Sequence, residues 1–364
     1  MVGVSGGVDS AVALKRLRDS GVAVRAVFMK NWDEDDAAEY CPAEQDLADA
    51  RAVCDQLGVP LLTVNFSYEY WERVFAEFLA EHRRGRTPNP DVLCNQVLKF
   101  DAFLDYARDL GATRIATGHY ARVTHADGSC KLLRARDENK DQTYFLHRLD
   151  QQQLRYACFP LGELQKPQVR ELARQAQLPI HDKKDSTGLC FIGERPFTEF
   201  LARFLKPDPG PIRALDGGII GEHRGLAFYT IGQRQGLGIG GRADALQAPW
   251  YVAAKRIDDN TLVVVQGGHH PALFAPALIA DAAHWIAGKA PMLPLRCEAR
   301  IRHRQALQWC TVRENPDADH RDSLLVEFEQ AQRAIAPGQS VVFYRDEECL
   351  GGAVIEGAVH DPHS

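Results

Sequence analysis

The chain has 364 residues, 45 % of them apolar, with a formal net charge of −6 at pH 7. That length predicts two or three domains of ordinary globular composition, the lack of any run of about 18 apolar residues excludes a helical membrane span, and the net acidity argues against an indiscriminate polyanion binder. With no basic-then-apolar leader a cytoplasmic protein is expected; its nine dispersed cysteines form no Cys-x-x-Cys pair, which argues against a zinc ribbon or iron–sulfur cradle and for buried small hydrophobes or reactive thiols.

Met1 to Val4 read as the end of a strand, Ser5-Gly6-Gly7-Val8-Asp9-Ser10 as a glycine loop, and Ala11 to Leu17 as a helix. This order holds phosphate chains: glycines let the backbone approach, freed N–H groups form a nest, and the helix adds its positive end. No Lys-Ser or Lys-Thr follows, so this is not a Walker loop, and no third glycine completes a dinucleotide fingerprint. Ser-Gly-Gly-x-Asp-Ser resembles the pyrophosphate loop of enzymes that cut ATP between its α and β phosphates.

Strands are expected at 22–28, 60–64 and 114–117. Between them Leu47, Ala50, Cys54 and Leu57 recur at helical spacing, with Gly58 as the stop. Trp71, Phe75, Phe78 and Leu79 line a second helix, and Leu98, Leu104, Ala107 and Leu110 a third. The rhythm predicts a parallel α/β sheet with helices on both faces, its ligand at the carboxyl ends of the strands. A hairpin turned at Asp127-Gly128 and helices near 150–157 and 166–176 follow. Asp208-Pro209-Gly210-Pro211 marks a boundary. Beyond it, glycines crowd 217–241, and strands are expected at 250–257, 261–266, 295–302, 323–328 and 340–344. The expected division is 1–208, 209–273 (small and β-rich) and 274–364 (a β-barrel).

Two loop cysteines carry the chemistry. In Thr87-Pro88-Asn89-Pro90-Asp91-Val92-Leu93-Cys94-Asn95, prolines stiffen the approach and Cys94 sits just before a helix, where a thiol pKa is lowered. In Lys183-Lys184-Asp185-Ser186-Thr187-Gly188-Leu189-Cys190, two lysines favour a thiolate at Cys190. An adenylating loop with two such cysteines suggests activation of a carbonyl followed by sulfur attack. Basic patches at 82–86, 131–140 and Arg300, Arg302 and Arg304 are each expected to be solvated surface. The last three are expected on one strand face.

With Ala116-Thr117-Gly118-His119-Tyr120, Lys140-Asp141-Gln142-Thr143-Tyr144-Phe145-Leu146, Tyr229-Thr230-Ile231-Gly232-Gln233-Arg234 and Pro337-Gly338-Gln339-Ser340, the chain resembles the bacterial tRNA-specific 2-thiouridylases nearly end to end. The resemblance implies a Rossmann-like adenine-nucleotide hydrolase domain, a central β-rich domain and a tRNA-contacting barrel. It implies ATP-dependent sulfur transfer to C2 of the wobble uridine in tRNAs for Lys, Glu and Gln. ATP would be held by Gly3, Val4, Ser5, Gly6, Gly7, Val8, Asp9 and Ser10, with Met29 and Gly118. Asn89, Pro90 and Asp91 would meet the base, Asp91 as acid or base. Cys94 would be the nucleophile and Cys190 the persulfide carrier, the two closing a disulfide after turnover. His119, Lys140, Asp141, Gln142, Arg302, His303 and Gln339 would touch tRNA. Mg²⁺ would ride on the phosphates without a dedicated protein cage, no permanent cofactor is expected, and the sulfur donor would be a cysteine desulfurase or a relay carrier. A monomer is expected.

Two departures stand out: the first strand is cut to Met1–Val4, and His303 stands where the family often has Tyr. Two other readings are an amidating synthetase that uses ammonia, which shares the loop but needs neither cysteine, and a non-catalytic RNA-binding module with a redox-switch disulfide.

Overall fold

The computed structural model describes residues 1–32, 42–126, 128–185, 197–239, 248–318 and 322–360. Five parallel strands form the first sheet: β1 (Val2–Val4), β2 (Ala26–Lys30), β3 (Leu61–Asn65), β4 (Ile115–Ala116) and β7 (Ala157–Cys158), in the order β3-β2-β1-β4-β7. Central β1 is only three residues long, yet it pairs on both sides, with Val2 opposite Ala26 and Ala116. The strand expected at 22–28 begins at Ala26, because that is where β1 offers partners.

Side chains alternate across this sheet. Val2, Val4, Ala26 and Phe28 pack on the face of α1 (Val8–Asp19), α2 (Pro42–Leu57) and the helix Lys166–Gln175. Val27 and Ile115 pack on the opposite face with the helical stretches 67–83 and 90–109. Helices on both faces bury a parallel sheet whose strands read almost wholly apolar. Cys54 lies in the α2 core, as its helical spacing predicts.

The hairpin β5 (Ala121–Ala126) and β6 (Ser129–Arg134) leaves this layer and pairs with the last strand of the chain, Leu132 opposite Cys349. A small sheet follows: β8 (Gly210–Ala214), β9 (Ile219–His223), β10 (Trp250–Arg256) and β11 (Thr261–Gln266), in the order β10-β11-β8-β9. The C-terminal strands are β12 (Phe274–Trp285), β13 (Leu295–Arg300), β14 (Gln308–Glu314), β15 (Leu324–Arg333), β16 (Ser340–Arg345) and β17 (Glu348–Val359). They run β12-β15-β14-β13-β16-β17, and β12 pairs again with β17, which closes a six-stranded antiparallel barrel without free edges. Leu278, Cys297, Val312, Val326, Val341, Phe343 and Ile355 help fill its interior. Among the described residues no helix is long and apolar enough to cross a membrane.

β13 stops at Arg300, two residues short of the expected end, and Arg302 and Arg304 lie in the turn that follows. The three arginines therefore do not share a strand face. Arg300 is buried rather than solvated, and so is His82 of the first basic patch.

Candidate active site

The glycine loop lies at the carboxyl end of β1 and passes directly into α1. Gly6 has φ +70°, and a Cβ there would sit 2.3 Å from the Asp46 carbonyl oxygen of α2. Only glycine fits this position. The turn is closed from within: the Ser5 N–H donates to Ser10 Oγ at 3.1 Å, and the Ser10 hydroxyl donates to the Gly7 carbonyl at 3.0 Å. Gly118, just after β4, packs backbone to backbone on the loop, where a Cβ would fall 2.7 Å from Ser10 N. Gly3 faces Met29, whose Cε would be 3.2 Å from a Cβ at position 3. The expected nucleotide residues Gly3 to Ser10, Met29 and Gly118 thus converge at one rim of the sheet.

An ion network surrounds this loop. Lys166, at the first turn of its helix, donates to both oxygens of Asp9, at 2.8 and 2.9 Å, and Tyr120 donates its hydroxyl to Asp9 at 2.8 Å. Lys166 also reaches Asp185 at 2.7 Å, where Lys140 (2.7 Å) and Arg170 (2.5 Å) converge. Lys183 donates to the Gly6 carbonyl at 3.1 Å and pairs with Asp46 and Asp49. Burial disfavours the Asp185 charge, but hydrogen bonds and positive charge from Lys140 and Lys166 outweigh it and hold that carboxyl down to about 2. Lys166, Arg170 and Tyr120 join the site only through the fold. Tyr120 closes a motif and Lys166 starts a helix, but neither local signal shows the pairing, since Lys166 and Asp9 stand 157 positions apart.

Asn89 caps the next helical stretch, accepting from the Asp91 N–H at 3.1 Å, and Pro90 takes the first helical position, where no N–H is needed. The helix thus starts at Pro90, so Cys94 lies in its second turn, not ahead of it. From Cys94 to Ala102 the winding is π, a form common at functional sites. Cys94 is buried, and burial pushes its thiol up to about 12 against the pull of Lys99, with Asp91 adding to the rise. This corrects the expected low pKa: a position one turn inside the helix gains little from its positive end and loses water instead. The positive charge of Lys99 pulls down both the Cys94 thiol and the His119 ring. His119 is buried between the rings of Phe100 and Phe159 and shares a 2.7 Å hydrogen bond with Thr117. Burial, with Lys99, holds it far below the usual histidine range and neutral.

The loops that precede β10 and β16 meet at Thr87. Its N–H donates to the Pro337 carbonyl, its own carbonyl accepts from Gln339 Nε2 at 2.7 Å, and its hydroxyl lies 3.2 Å from that of Thr230. Arg302 bridges the same junction, donating to the carbonyls of Ile231 (3.3 Å) and Ala334 (2.9 Å). Asp141 is 1 % exposed and saturated by the N–H groups of Ala135 and Thr143, the Thr143 hydroxyl and the Arg300 guanidinium. The carboxylate of this residue, expected to touch tRNA, is enclosed as a clasp to the barrel. His303 donates from Nε2 to the Asp141 carbonyl at 2.9 Å and packs on Phe145 with ring centroids 4.4 Å apart. Gln142 accepts from the Tyr120 N–H at 2.9 Å. Cys190 lies outside the described residues, so its distance from Cys94 is not part of this geometry. Among the described residues no group of three or more His, Cys, Asp or Glu is placed to hold a metal ion.

Residues 1–194 match the family model described as tRNA methyl transferase HUP domain, 198–266 the tRNA methyl transferase PRC-barrel domain, and 276–355 the Aminomethyltransferase beta-barrel domain. A relative from Alcanivorax borkumensis, named tRNA-specific 2-thiouridylase MnmA, is 55 % identical over 98 % of this chain and 96 % of its own. One of the same name from Francisella tularensis subsp. novicida is 54 % identical over 98 % of each chain. With a parallel sheet carrying a glycine loop, a small β domain and a closed barrel, the chain belongs to the tRNA-specific 2-thiouridylase family.

Proposed function

We infer that the protein forms 2-thiouridine at the wobble position of tRNA, as an ATP-consuming tRNA-uridine 2-sulfurtransferase. One observation supports the reading: the segment 87–94, which ends in Cys94, is fastened at Thr87 by Thr230 and by Gln339 of the barrel, in a chain whose first strand runs into a loop shaped for polyphosphate. An ammonia-using synthetase needs no such cysteine.

The chemistry follows in two halves. Uracil O2 attacks the α-phosphorus of ATP, the bond to the β-phosphate oxygen breaks, and pyrophosphate leaves with the nest of backbone N–H groups around it. Mg²⁺ would be held mainly by the phosphates and water, with no dedicated protein cage. The terminal persulfide sulfur of Cys190 then attacks C2, the C2–O2 bond breaks, and AMP carries the oxygen away. The Cys94 thiolate cleaves the sulfur–sulfur bond, which frees the thiolated base and leaves a Cys94–Cys190 disulfide for a cellular thiol to reduce. Alternatively, Cys94 releases sulfide first and the sulfide attacks C2. Since the free enzyme keeps Cys94 neutral and covered, substrate binding has to uncover it.

Asn89, Pro90 and Asp91 meet the extruded base, which leaves a single-stranded loop at a cost of a few kcal/mol. Gln142, Arg302, His303 and Gln339 face the tRNA; Asp141 and the buried His119 support them from inside, and Lys140 turns to Asp185 instead. Lys, Glu and Gln tRNAs are the proposed substrates, a desulfurase or relay carrier the sulfur source, the cytoplasm the location and a monomer the working form. The domain limits proposed are 208/209 and 273/274.

Unmodified tRNA, ATP and a protein persulfide donor test this, read by retardation in an organomercury gel. A retarded band with wild type, lost in Cys94→Ser and Cys190→Ser, is expected. A band that survives both substitutions overturns the cysteine roles, and no band from an ATP-binding wild type brings the ammonia-using reading forward.

A further inference from the structure

The ion network at the glycine loop holds a carboxylate, Asp185, beside Lys166, which also pairs with Asp9 of the loop. Asp185 gathers three cations: Lys166 and Arg170 on one oxygen, Lys140 on the other, all within 2.7 Å. Lys166 is simultaneously on Asp9, in the first turn of α1, so this cation set borders the phosphate nest. Lys183, two residues before Asp185, donates to the Gly6 carbonyl of the loop itself. A single carboxylate does not need three cations to be stable. Three cations are, however, what a leaving pyrophosphate needs, because its charge rises as the α–β bond breaks.

We propose that Asp185 is an intramolecular counter-ligand for the polyphosphate: it occupies Lys166, Arg170 and Lys140 in the free enzyme, ATP displaces it, and its return expels pyrophosphate. This rests on the reading that the loop binds ATP phosphates, and goes beyond it by assigning a residue to product release. The physical reason is exchange. Cations already paired with a carboxylate cost little to desolvate and stay in place, but the ligand gains only the difference between the two partners. An internal carboxylate at high effective concentration therefore caps the affinity for any small polyanion.

The experiment is calorimetric titration of inorganic pyrophosphate with Mg²⁺, and of ATP, into wild type, Asp185→Asn and Asp185→Glu. Asp185→Asn is expected to bind pyrophosphate at least fivefold tighter and to be more strongly inhibited by added pyrophosphate during thiolation. Asp185→Glu keeps the charge and is expected within twofold of wild type. Equal or weaker pyrophosphate binding by Asp185→Asn, with ATP binding intact in wild type, overturns the counter-ligand role alone and makes Asp185 a scaffold for Lys166. A wild type that binds neither ATP nor pyrophosphate overturns both this role and the ATP reading. If Asp185→Asn does not fold, the salt dependence of wild type decides. Exchange of one ion pair for another predicts a pyrophosphate Kd that weakens less than about tenfold from 0.05 to 0.5 M KCl, and a larger loss overturns the proposal.

Discussion

Gln339, in the turn before β16, donates its side-chain N–H to the carbonyl of Thr87, 252 residues earlier, at 2.7 Å. Gly338 makes the approach possible: its φ is +90°, and a Cβ there would sit 2.9 Å from Thr87 N. The barrel thereby sets the position of the helix start that carries Asn89, Asp91 and Cys94.

Gly338→Ala is expected to push this junction apart. Thiolation kcat/KM should fall about 10- to 100-fold, since misplacement by an ångström costs that much, while the Kd for ATP stays within twofold. Gln339→Ala should do the same more mildly. Parallel ATP titration and tRNA thiolation check this; a matching loss of ATP affinity would show that the junction serves the nucleotide instead.

At the glycine loop the expectation reverses. Gly118→Ala places a methyl 2.7 Å from Ser10 N, against backbone that cannot yield. ATP affinity should drop at least tenfold, with the barrel unchanged by far-UV circular dichroism. Unaltered ATP binding would move the nucleotide away from this corner.

Cys94 should be slow to alkylate. With its thiol pushed up to about 12, only about one molecule in ten thousand carries a thiolate at pH 8. Iodoacetamide labelling followed by peptide mapping should leave Cys94 unmodified in the free enzyme and modify it once tRNA and ATP are added. Rapid labelling of the free enzyme would contradict the buried arrangement.

Removal of the Asp141 carboxylate strands Arg300, which is 4 % exposed, in the interior beside Tyr344. Breaking one partner of a buried pair costs about 3–5 kcal/mol. Asp141→Ala should therefore lower Tm and urea midpoint sharply. A loss of tRNA affinity without loss of stability would instead restore the direct contact expected from the sequence.

Acid should act through His82. Burial lowers its pKa to about 4, partly offset by its hydrogen bond to the Ala227 carbonyl. The unfolded chain binds this proton near 6.5 and the folded one only near 4, so stability is lost as pH falls between those values. The span is worth about 3 kcal/mol. Urea midpoints measured from pH 7 to 4 should fall less steeply in His82→Asn than in wild type; equal slopes would exclude this residue as the cause.

Local patterns made much of this protein legible. Ser5 to Ser10 specify a tight glycine turn into a helix because glycine conformations and helix ends act within a few residues. Leu47, Ala50, Cys54 and Leu57 specify a helix face because their period is local too. The hairpin of β5 and β6 and the β-rich tail were visible for the same reason. The sequence resemblance, in turn, rests on motifs that are each contiguous.

Residue states were decided by contacts that no window of sequence contains. Cys94 has a helix start four residues ahead of it, which predicts a low pKa, but the surrounding core removes water and reverses the sign. Asp141 sits in a polar run, yet Arg300, 159 residues on, draws it inside. Arg302 and Arg304 leave the strand face because β13 stops at Arg300. Lys166 meets Asp9 and Asp185 only because α1 and the helix Lys166–Gln175 share one face of the sheet. The sequence alone determined which chemistry the chain carries, since backbone shape and residue type are local properties. Charge state, exposure and partnership depend on long-range packing and dielectric, and only the tertiary structure decided them.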